Sequence, residues 1–275
     1  MTRPFADIRV IADDYGLGAG HDAVMRRLLG TGAIDAVSVL VETCTEVSAA
    51  ALRAIAASRP CIGLHLNFTY APPGRARRPD RTLLLARSLL GLNSDLVEAR
   101  IATQKARFLE LFGRPPDFID GHEHCHAFPS IRPAVLRAAA ADGLPVRSMV
   151  PLLPPADIKA RVIARLGHDM QRAAERHGVR TNWRFGGVLP LPTPETAIAA
   201  LEIDLAVARQ AAPAAPGEIW FMVHPGDAED PLQIPGHPPV LRTLETKALE
   251  RLRSGRRGGP VPPYFDPLRL ASPGA

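Results

Sequence analysis

Cysteine is scarce in this chain. The 275 residues include three cysteines, Cys44, Cys61 and Cys125, an odd number with irregular spacing. This pattern argues against a framework of disulfide bonds, which would pair an even number of cysteines in a small secreted protein. The first residues reach Asp7 and Arg9 before any long apolar run, so no signal peptide is recognisable. These absences predict a protein of the reducing cytoplasm.

Long apolar runs and lysine are lacking as well. No stretch approaches the ~20 consecutive apolar residues of a membrane-spanning helix, so we expect no membrane span. Only three of the 33 basic residues are lysines, and the net charge is +5. The arginines are scattered, whereas a surface that binds nucleic acid concentrates basic residues on one face. Their densest group lies among prolines, at Arg75, Arg77, Arg78 and Arg81. We therefore expect no nucleic-acid partner.

Short apolar segments alternate with helical patterns along the chain. The clearest apolar segments are residues 8–12, 36–41, 61–66 and 218–223. Strands that alternate with helices predict a mostly parallel sheet covered by helices. With six to eight such units in one chain, we predict a single-domain α/β fold, a distorted (β/α) TIM-like barrel. An open doubly wound sheet is the alternative.

Three further segments carry specific expectations. Residues 95–113 form the clearest helical pattern, which stops at Gly113. Its expected core positions are Leu96, Ile101, Phe108, Leu109 and Phe112. The polar stretch 67–82 is longer than most connections and suggests a lid or substrate loop. Residues 255–275 are rich in glycine and proline and predict a surface tail.

Acidic residues and histidines follow four of the expected strands. "IRVIADDYG" leads into Asp13 and Asp14, and "CIGLHL" contains His65. "DFIDGHEHCH" leads into Asp120 and His122, and "EIWFMVHPGD" leads into His224. The C-terminal ends of parallel strands carry the functional site in α/β folds. We therefore expect these side chains to converge at one end of the sheet.

This set of residues has the chemistry of a hydrolytic metal site. One carboxylate and two neutral imidazoles can hold a divalent ion and leave positions open for water and substrate. Of two adjacent aspartates, one can bind the ion while the other takes a proton from water. His224 could protonate a leaving group. Of His122, His124 and His126, one or two at most need to touch the metal. These parts suit the hydrolysis of an amide or an ester.

Each residue also has an ordinary structural interpretation. The adjacent aspartates could cap the following helix. His65 lies between two leucines and could be a hydrogen-bonded core residue, and His224 before a Pro-Gly pair could belong to a turn. Tyr15 and Trp183 could stack on a sugar ring, although core packing suits both.

Four motifs together resemble a known family. "ADDYG", "GLHLN", "DGHEHCHAFP" and "MVHPGD" occur in this order between residues 11 and 227. They resemble the YdjC-like (ChbG/HpnK-type) carbohydrate deacetylases, which implies a distorted (β/α) barrel that removes N-acetyl groups from sugars with a divalent metal. The resemblance implies that Asp14, His65 and His122 bind the metal. It also implies Asp13 as the catalytic base and His224 as the acid.

The resemblance leads to further expectations. His124, His126, Tyr15 and Asp120 are expected to support the ligands or to line the substrate cleft. The family usually has phenylalanine where this chain has Tyr15. We expect one divalent ion, Mg²⁺ or Zn²⁺, and an N-acetylated sugar or glycan as substrate. A homodimer is one option for the oligomeric state.

Two other classes of function fit parts of the pattern. The first is a different metal-dependent hydrolase on the same barrel, a phosphoesterase or an amidohydrolase. Amidohydrolases usually carry a His-x-His pair on the first strand, where this chain has Asp13 and Asp14. The second is a non-catalytic metal- or sugar-binding protein. Binding alone requires neither a base nor an acid, which disfavours this class.

Overall fold

The structure is a computed structural model. It describes residues 8–55, 60–71, 78–155, 157–188, 194–212, 215–234 and 237–253. The expected surface tail at 255–275 and part of the expected loop, residues 72–77, lie outside the described residues.

The sheet contains six parallel strands. They are β1 (Ile8–Tyr15), β2 (Ala36–Val39), β3 (Cys61–Leu66), β4 (Ile119–Gly121), β5 (Arg184–Gly186) and β6 (Ile219–Val223). Their order across the sheet is β4-β3-β2-β1-β6-β5. The central strands β1 and β6 are buried along almost their whole length, which explains the unbroken apolar sequence of β6 and the mainly apolar start of β1.

The order of the strands across the sheet does not reverse along the chain. Every neighbouring pair is consecutive in sequence except β1 and β6, where the first strand pairs with the last. An open doubly wound sheet would instead reverse its order at a switch point. Between the edge strands β4 and β5, Val146 bridges to Ile119 and Pro151 bridges to Phe185. The predicted parallel α/β sheet is confirmed, with six regular strands in the described residues.

Eight helices accompany the sheet in the described residues. They are α1 (Ala19–Thr31), α2 (Glu46–Arg53), α3 (Arg81–Leu90), α4 (Ser94–Phe112), α5 (Arg132–Asp142), α6 (Ile158–Arg176), α7 (Pro194–Ala211) and α8 (Pro239–Arg253). A short 3₁₀ turn covers His122–Ala127. No helix in the described part of the chain is long and apolar enough to cross a membrane.

Helix α4 confirms the clearest helical prediction but corrects its buried face. Asn93 caps its first turn, and Gly113 ends it in the left-handed conformation. Ile101, Phe108 and Phe112 are buried as expected. Leu96 and Leu109 are 70% and 53% exposed, so their expected core positions were wrong. The contacts of α4 with α2, α5 and β3 bury the neighbouring face instead, which includes Val97, Gln104 and Leu111.

The stretch expected as a loop at 67–82 ends in a helix. Asp80 accepts a hydrogen bond from the backbone N–H of Leu83 at 2.9 Å and thereby caps α3, which begins at Arg81. The start of the stretch is a tight turn, in which Asn67 accepts hydrogen bonds from the backbone of Thr69 and Tyr70. Both ends of the expected loop are therefore anchored.

Candidate active site

The ends of four strands meet at one cavity of about 530 Å³. Its lining includes side chains at the C-terminal ends of β1 and β3 or just after β4 and β6, namely Asp13, Asp14, His65, His122 and His224. Further lining comes from Arg81, Glu123, His124, Lys159, His237 and Leu241. The size is in the usual range of sites for small molecules. The expected convergence of residues from distant parts of the sequence is thus present.

Asp14 contacts two histidines from different strands. Its Oδ1 lies 3.0 Å from Nδ1 of His122 and 3.4 Å from Nε2 of His65. Asp14 adopts a left-handed backbone conformation, with φ of 68°. Such a conformation is uncommon outside glycine and costs free energy, so its presence at a strand end is typical of a functional position.

The three residues fit a divalent ion. One ligand atom from each of Asp14, His65 and His122 lies within 4.8 Å of the others, and all three side chains are buried. Two ligands that share one ion at bonds of about 2.0–2.2 Å lie about 3.0–3.4 Å apart. The Asp14–His122 and Asp14–His65 separations of 3.0 and 3.4 Å match this spacing. The set of donors, one carboxylate and two imidazoles, suits Zn²⁺ or a harder divalent ion.

Asp120 holds the second nitrogen of His65. Its Oδ1 accepts a hydrogen bond from Nδ1 of His65 at 2.7 Å and another from the hydroxyl of Ser38 at 2.5 Å. A carboxylate on one imidazole nitrogen fixes the ring and leaves the other nitrogen for a metal. The arrangement therefore points Nε2 of His65 towards Asp14.

Asp13 pairs with a buried arginine. Arg147 donates to both carboxylate oxygens of Asp13, at 2.6 and 2.7 Å, and also lies 2.6 Å from Oδ2 of Asp120. The backbone carbonyl of Arg147 accepts a hydrogen bond from Nε2 of His126 at 3.0 Å. One guanidinium therefore joins the two carboxylates behind the cavity.

Burial and charge act together on the pKa values of this network. Burial raises the pKa of Asp13, while Arg147 and His65 oppose that rise. Burial would also raise the pKa of Asp120, but the positive charges of Arg147 and His65 have the larger effect and hold this pKa below its ordinary value. Burial alone would lower the pKa of His65, but Asp120 and Asp13 raise it to about 10. A metal at His65 must therefore displace a proton.

A second triplet around His65 is not a plausible ion site. Asp13, His65 and Asp120 also offer three ligand atoms within 4.8 Å. However, the guanidinium of Arg147 already lies against both carboxylates. A divalent cation there would be repelled by this fixed positive charge at short range.

His224 and Asp14 are both held by the last helix. Glu245 of α8 accepts a hydrogen bond from the backbone N–H of His224 at 2.5 Å. One turn earlier, Arg242 donates to Oδ2 of Asp14 at 3.2 Å. Burial and the neighbouring imidazole of His237 hold the pKa of His224 well below its usual range. The interpretation of His224 as a simple turn residue is incomplete, because its side chain lines the cavity.

The histidine-rich segment does not continue as a strand. Glu123 and His124 have φ of 52° and 60°, so the chain turns sharply after β4. His122 consequently faces Asp14, whereas the ring of His124 packs edge-on against Phe185. On a strand, alternate histidines would share a face, but this turn directs them towards different neighbours. His124 lines the cavity and His126 supports Arg147 from behind.

Two other expectations are corrected by the structure. The adjacent aspartates do not cap α1, because Asp230 from a distant loop accepts from the backbone N–H of Gly20 at 2.7 Å. Tyr15 does not line the cleft. Its side chain is fully buried, and its hydroxyl donates to the carbonyl of Ser48 at 2.7 Å. Trp183 is likewise absent from the residues that line the cavity.

Arg147, Arg242 and Glu245 were missed in the sequence. All three are at most 1% exposed and contact residues of the site. Arginine is so abundant in this chain that no local pattern distinguishes these two. Glu245 lies three residues after Arg242 on a helix, and this spacing was the only sign in the sequence that the two could act together. Many ion pairs on helix surfaces have the same spacing, so it is not specific.

Replacement of Arg147 should destabilise the protein strongly. Arg147→Met would leave Asp13 and Asp120 buried and without their shared cation, so we expect a loss of about 3–5 kcal/mol in the free energy of unfolding. Urea denaturation followed by circular dichroism measures this. Arg165→Ala, which removes an exposed ion pair with Asp169, is the control and should change little. An Arg147→Met protein as stable as the wild type would contradict the central role of this ion pair.

Fold and site together define a parallel α/β protein with a buried Asp/His cluster at the carboxyl ends of its strands. The family model of the YdjC-like proteins matches residues 7–254. This chain belongs to the YdjC-like family.

The named relatives agree with this assignment. Chitooligosaccharide deacetylases from Serratia marcescens and Escherichia fergusonii are 34% and 30% identical over 149 residues, which are 50% of this chain and 57% of each relative. The matched part of the chain thus spans little more than half the length of these relatives.

Two solved structures share the fold. One, from Enterococcus faecalis V583, is a protein proposed to cleave cellobiose phosphate, with a TM-score of 0.66, 19% identity, and coverage of 93% of this chain and 96% of that one. The other is an uncharacterised protein from Agrobacterium tumefaciens C58, with a TM-score of 0.53, 12% identity, and coverage of 91% and 84%. At these identities the likeness concerns the fold alone.

Proposed function

We propose that this protein is a metal-dependent hydrolase that removes an N-acetyl group from a sugar or glycan. The observation that carries the proposal is the convergence of Asp13, Asp14, His65, His122 and His224 on one cavity. The chemistry of these side chains supports the proposal. The similarity to chitooligosaccharide deacetylases supports it independently.

Asp14, His65 and His122 would hold one divalent ion, Zn²⁺ or Mg²⁺. When bound, such an ion polarises the acetyl carbonyl and makes a nearby water molecule more acidic. Asp120 orients His65 for this purpose, and Arg242 orients Asp14. The role of the protein is to keep these ligands in place before substrate arrives.

Asp13 is the proposed base. Its carboxylate lines the cavity, and Arg147 holds both oxygens without removing their remaining lone pairs. Burial raises the pKa of Asp13. A carboxylate with a raised pKa is a stronger base than an exposed aspartate, which suits removal of a proton from the attacking water.

His224 is the proposed acid for the departing amine. Because its pKa is held well below the usual range, its imidazolium gives up a proton readily once it has formed. Glu245 fixes the backbone at His224, so the ring has a defined position at the cavity. Because His224 starts neutral, the proton that Asp13 takes from the attacking water must reach its imidazole through water in the cavity before the amine departs. Both groups are then back in their starting states after one turnover.

The cavity suits a polar substrate. Arg81, Glu123 and Lys159 lie on its lining and can bind sugar hydroxyls through charged hydrogen bonds.

We also infer that the segment around Val146 and Pro151 completes a distorted barrel, since it bridges to both edge strands. That closure would place Arg147 behind Asp13.

The test is acetate release from N-acetylglucosamine oligomers by the purified protein with added Zn²⁺ or Mg²⁺. We expect acetate and free amine in equal amounts. Phosphate release from a sugar phosphate and ammonia release from an amidohydrolase substrate test the other hydrolase classes in parallel. Binding of the oligomer without any acetate, with either metal, would instead support the sugar-binding protein.

A further inference from the structure

A second cluster of potential ligands lies on the same cavity. His224 follows β6, His237 precedes α8, and Glu245 belongs to α8. One ligand atom from each residue lies within 4.8 Å of the others. This cluster shares no residue with Asp14, His65 and His122.

One carboxylate oxygen of Glu245 accepts a hydrogen bond, and the other is available to bind a cation. Oε2 accepts the hydrogen bond from the backbone N–H of His224 at 2.5 Å, which fixes the side chain. Oε1 lies 3.4 Å from Nε2 of His237, but neither atom makes a hydrogen bond in the described part of the chain. Glu245 is 1% exposed. A buried carboxylate oxygen and a buried ring nitrogen therefore face each other without a hydrogen bond, which is costly unless something else binds them.

The spacing of these atoms is that of ligands around one small cation. At bonds of about 2.0–2.2 Å, two ligands of a tetrahedral Zn²⁺ lie about 3.3–3.6 Å apart. The separation of Oε1 and Nε2 is 3.4 Å, and the rings of His224 and His237 are 4.6 Å apart between centroids. Two imidazoles and one carboxylate are a common set of protein ligands for Zn²⁺, with a further position open to the cavity.

We propose that His224, His237 and Glu245 form a second divalent-cation site that binds Zn²⁺ and inhibits the enzyme when it is filled. The inhibition rests on the function proposed above. A Zn²⁺ ion on the ring of His224 occupies the nitrogen lone pair that would carry the proton to the departing amine. Deacetylation should therefore rise with the first equivalent of Zn²⁺ and fall with the second.

The cation binding is tested without reference to activity. Metal-free protein is titrated with Zn²⁺ by calorimetry, and with Co²⁺ by its visible absorption. We expect two equivalents for the wild type and one for Glu245→Gln and His237→Ala. Glu245→Gln is nearly isosteric and retains an acceptor for the N–H of His224, so it removes the charge with little change in shape. His177→Ala, which removes an exposed histidine on the C-terminal side of α6, is the control and should retain both equivalents.

The inhibition is tested with Zn²⁺ above the first equivalent. In His237→Ala we expect the inhibitory Zn²⁺ concentration to rise at least about tenfold, the effect of losing one partner at a metal site. A single equivalent in the wild type would overturn the second site, as would a second equivalent of unchanged affinity in both variants. Two equivalents without acetate release under any condition would leave this site standing and refute the proposed function instead. Equal inhibition of the wild type and His237→Ala would refute the inhibitory role.

Discussion

Asp13→Asn should lower the turnover of an N-acetylated sugar by about 10²–10⁴-fold, the usual contribution of general acid–base catalysis. An amide cannot accept a proton from water at neutral pH. The metal content should stay at the wild-type level, because Asp13 pairs with Arg147 and is not one of the three proposed ligands. Initial rates of acetate release and metal analysis of the purified variant measure both quantities.

The variant should also lose some stability. Asparagine offers Arg147 one acceptor oxygen instead of two. The NH₂ group of its amide would face an N–H of the guanidinium, and two donors cannot form a hydrogen bond. Asp120 still pairs with Arg147 at 2.6 Å, so the cation is not left alone. Urea denaturation separates this loss from the loss of turnover. Rates are therefore compared at a temperature where the variant is fully folded.

Asp120→Asn is the matched control for Asp13→Asn. It also removes a carboxylate from Arg147, but it acts on the orientation of His65. We expect it to weaken metal binding by about 10–100-fold, the usual effect of losing a group that orients a ligand. Saturating metal should then restore much of its turnover. A tenfold change in rate corresponds to about 1.4 kcal/mol in the activation free energy. If the turnover of Asp13→Asn stayed within tenfold of the wild type, Asp13 would be ruled out as the base.

Loss of any one of the three proposed ligands should abolish tight metal binding at the site formed by Asp14, His65 and His122. Asp14→Asn, His65→Ala and His122→Ala each remove one of the atoms that lie within 4.8 Å of each other. We expect the affinity for Zn²⁺ to fall by more than the ~10–100-fold that loss of a supporting residue causes. Turnover at low metal concentration should fall in parallel. Dialysis of the wild type against a chelator should give the same loss, and added Zn²⁺ should reverse it.

The other histidines of the same segment provide controls. His124→Ala and His126→Ala remove side chains that contact Phe185 and the carbonyl of Arg147. Their metal affinity should fall by about 100-fold at most. If His124→Ala lost its metal completely while His122→Ala kept it, the ligand would be His124. Unchanged affinity in Asp14→Asn would remove Asp14 from the proposed site.

Much of the fold follows from local patterns in the sequence. β3, β6 and α4 were predicted nearly to their ends, because unbroken apolar runs mark buried parallel strands and a 3.6-residue period marks a helix. The convergence of Asp14, His65 and His122 was also predictable. The carboxyl ends of parallel strands lie at one end of the sheet, so residues just after such strands must come close together.

Short or weakly patterned elements were not predictable in the same way. The sequence pattern does not predict α3. The expected loop at 67–82 overlaps only its first two residues, and its N-cap Asp80 follows a stretch rich in arginine and proline. The exposure of Leu96 and Leu109 depends on which side of α4 meets α2 and α5. The sequence of a helix does not show which neighbouring element will cover a given apolar residue.

The sequence by itself determined the class of fold, the family and the five acidic and histidine residues that converge on the cavity, Asp13, Asp14, His65, His122 and His224. Only the tertiary structure decided how these residues are held. Arg147 is 134 positions from Asp13 and Arg242 is 228 positions from Asp14, so no local pattern joins them. The direction of each histidine after β4 depends on the left-handed turn at Glu123 and His124. A parallel sheet brings strand ends together by its geometry, whereas ion pairs and ring orientations depend on packing between elements that are distant in the chain.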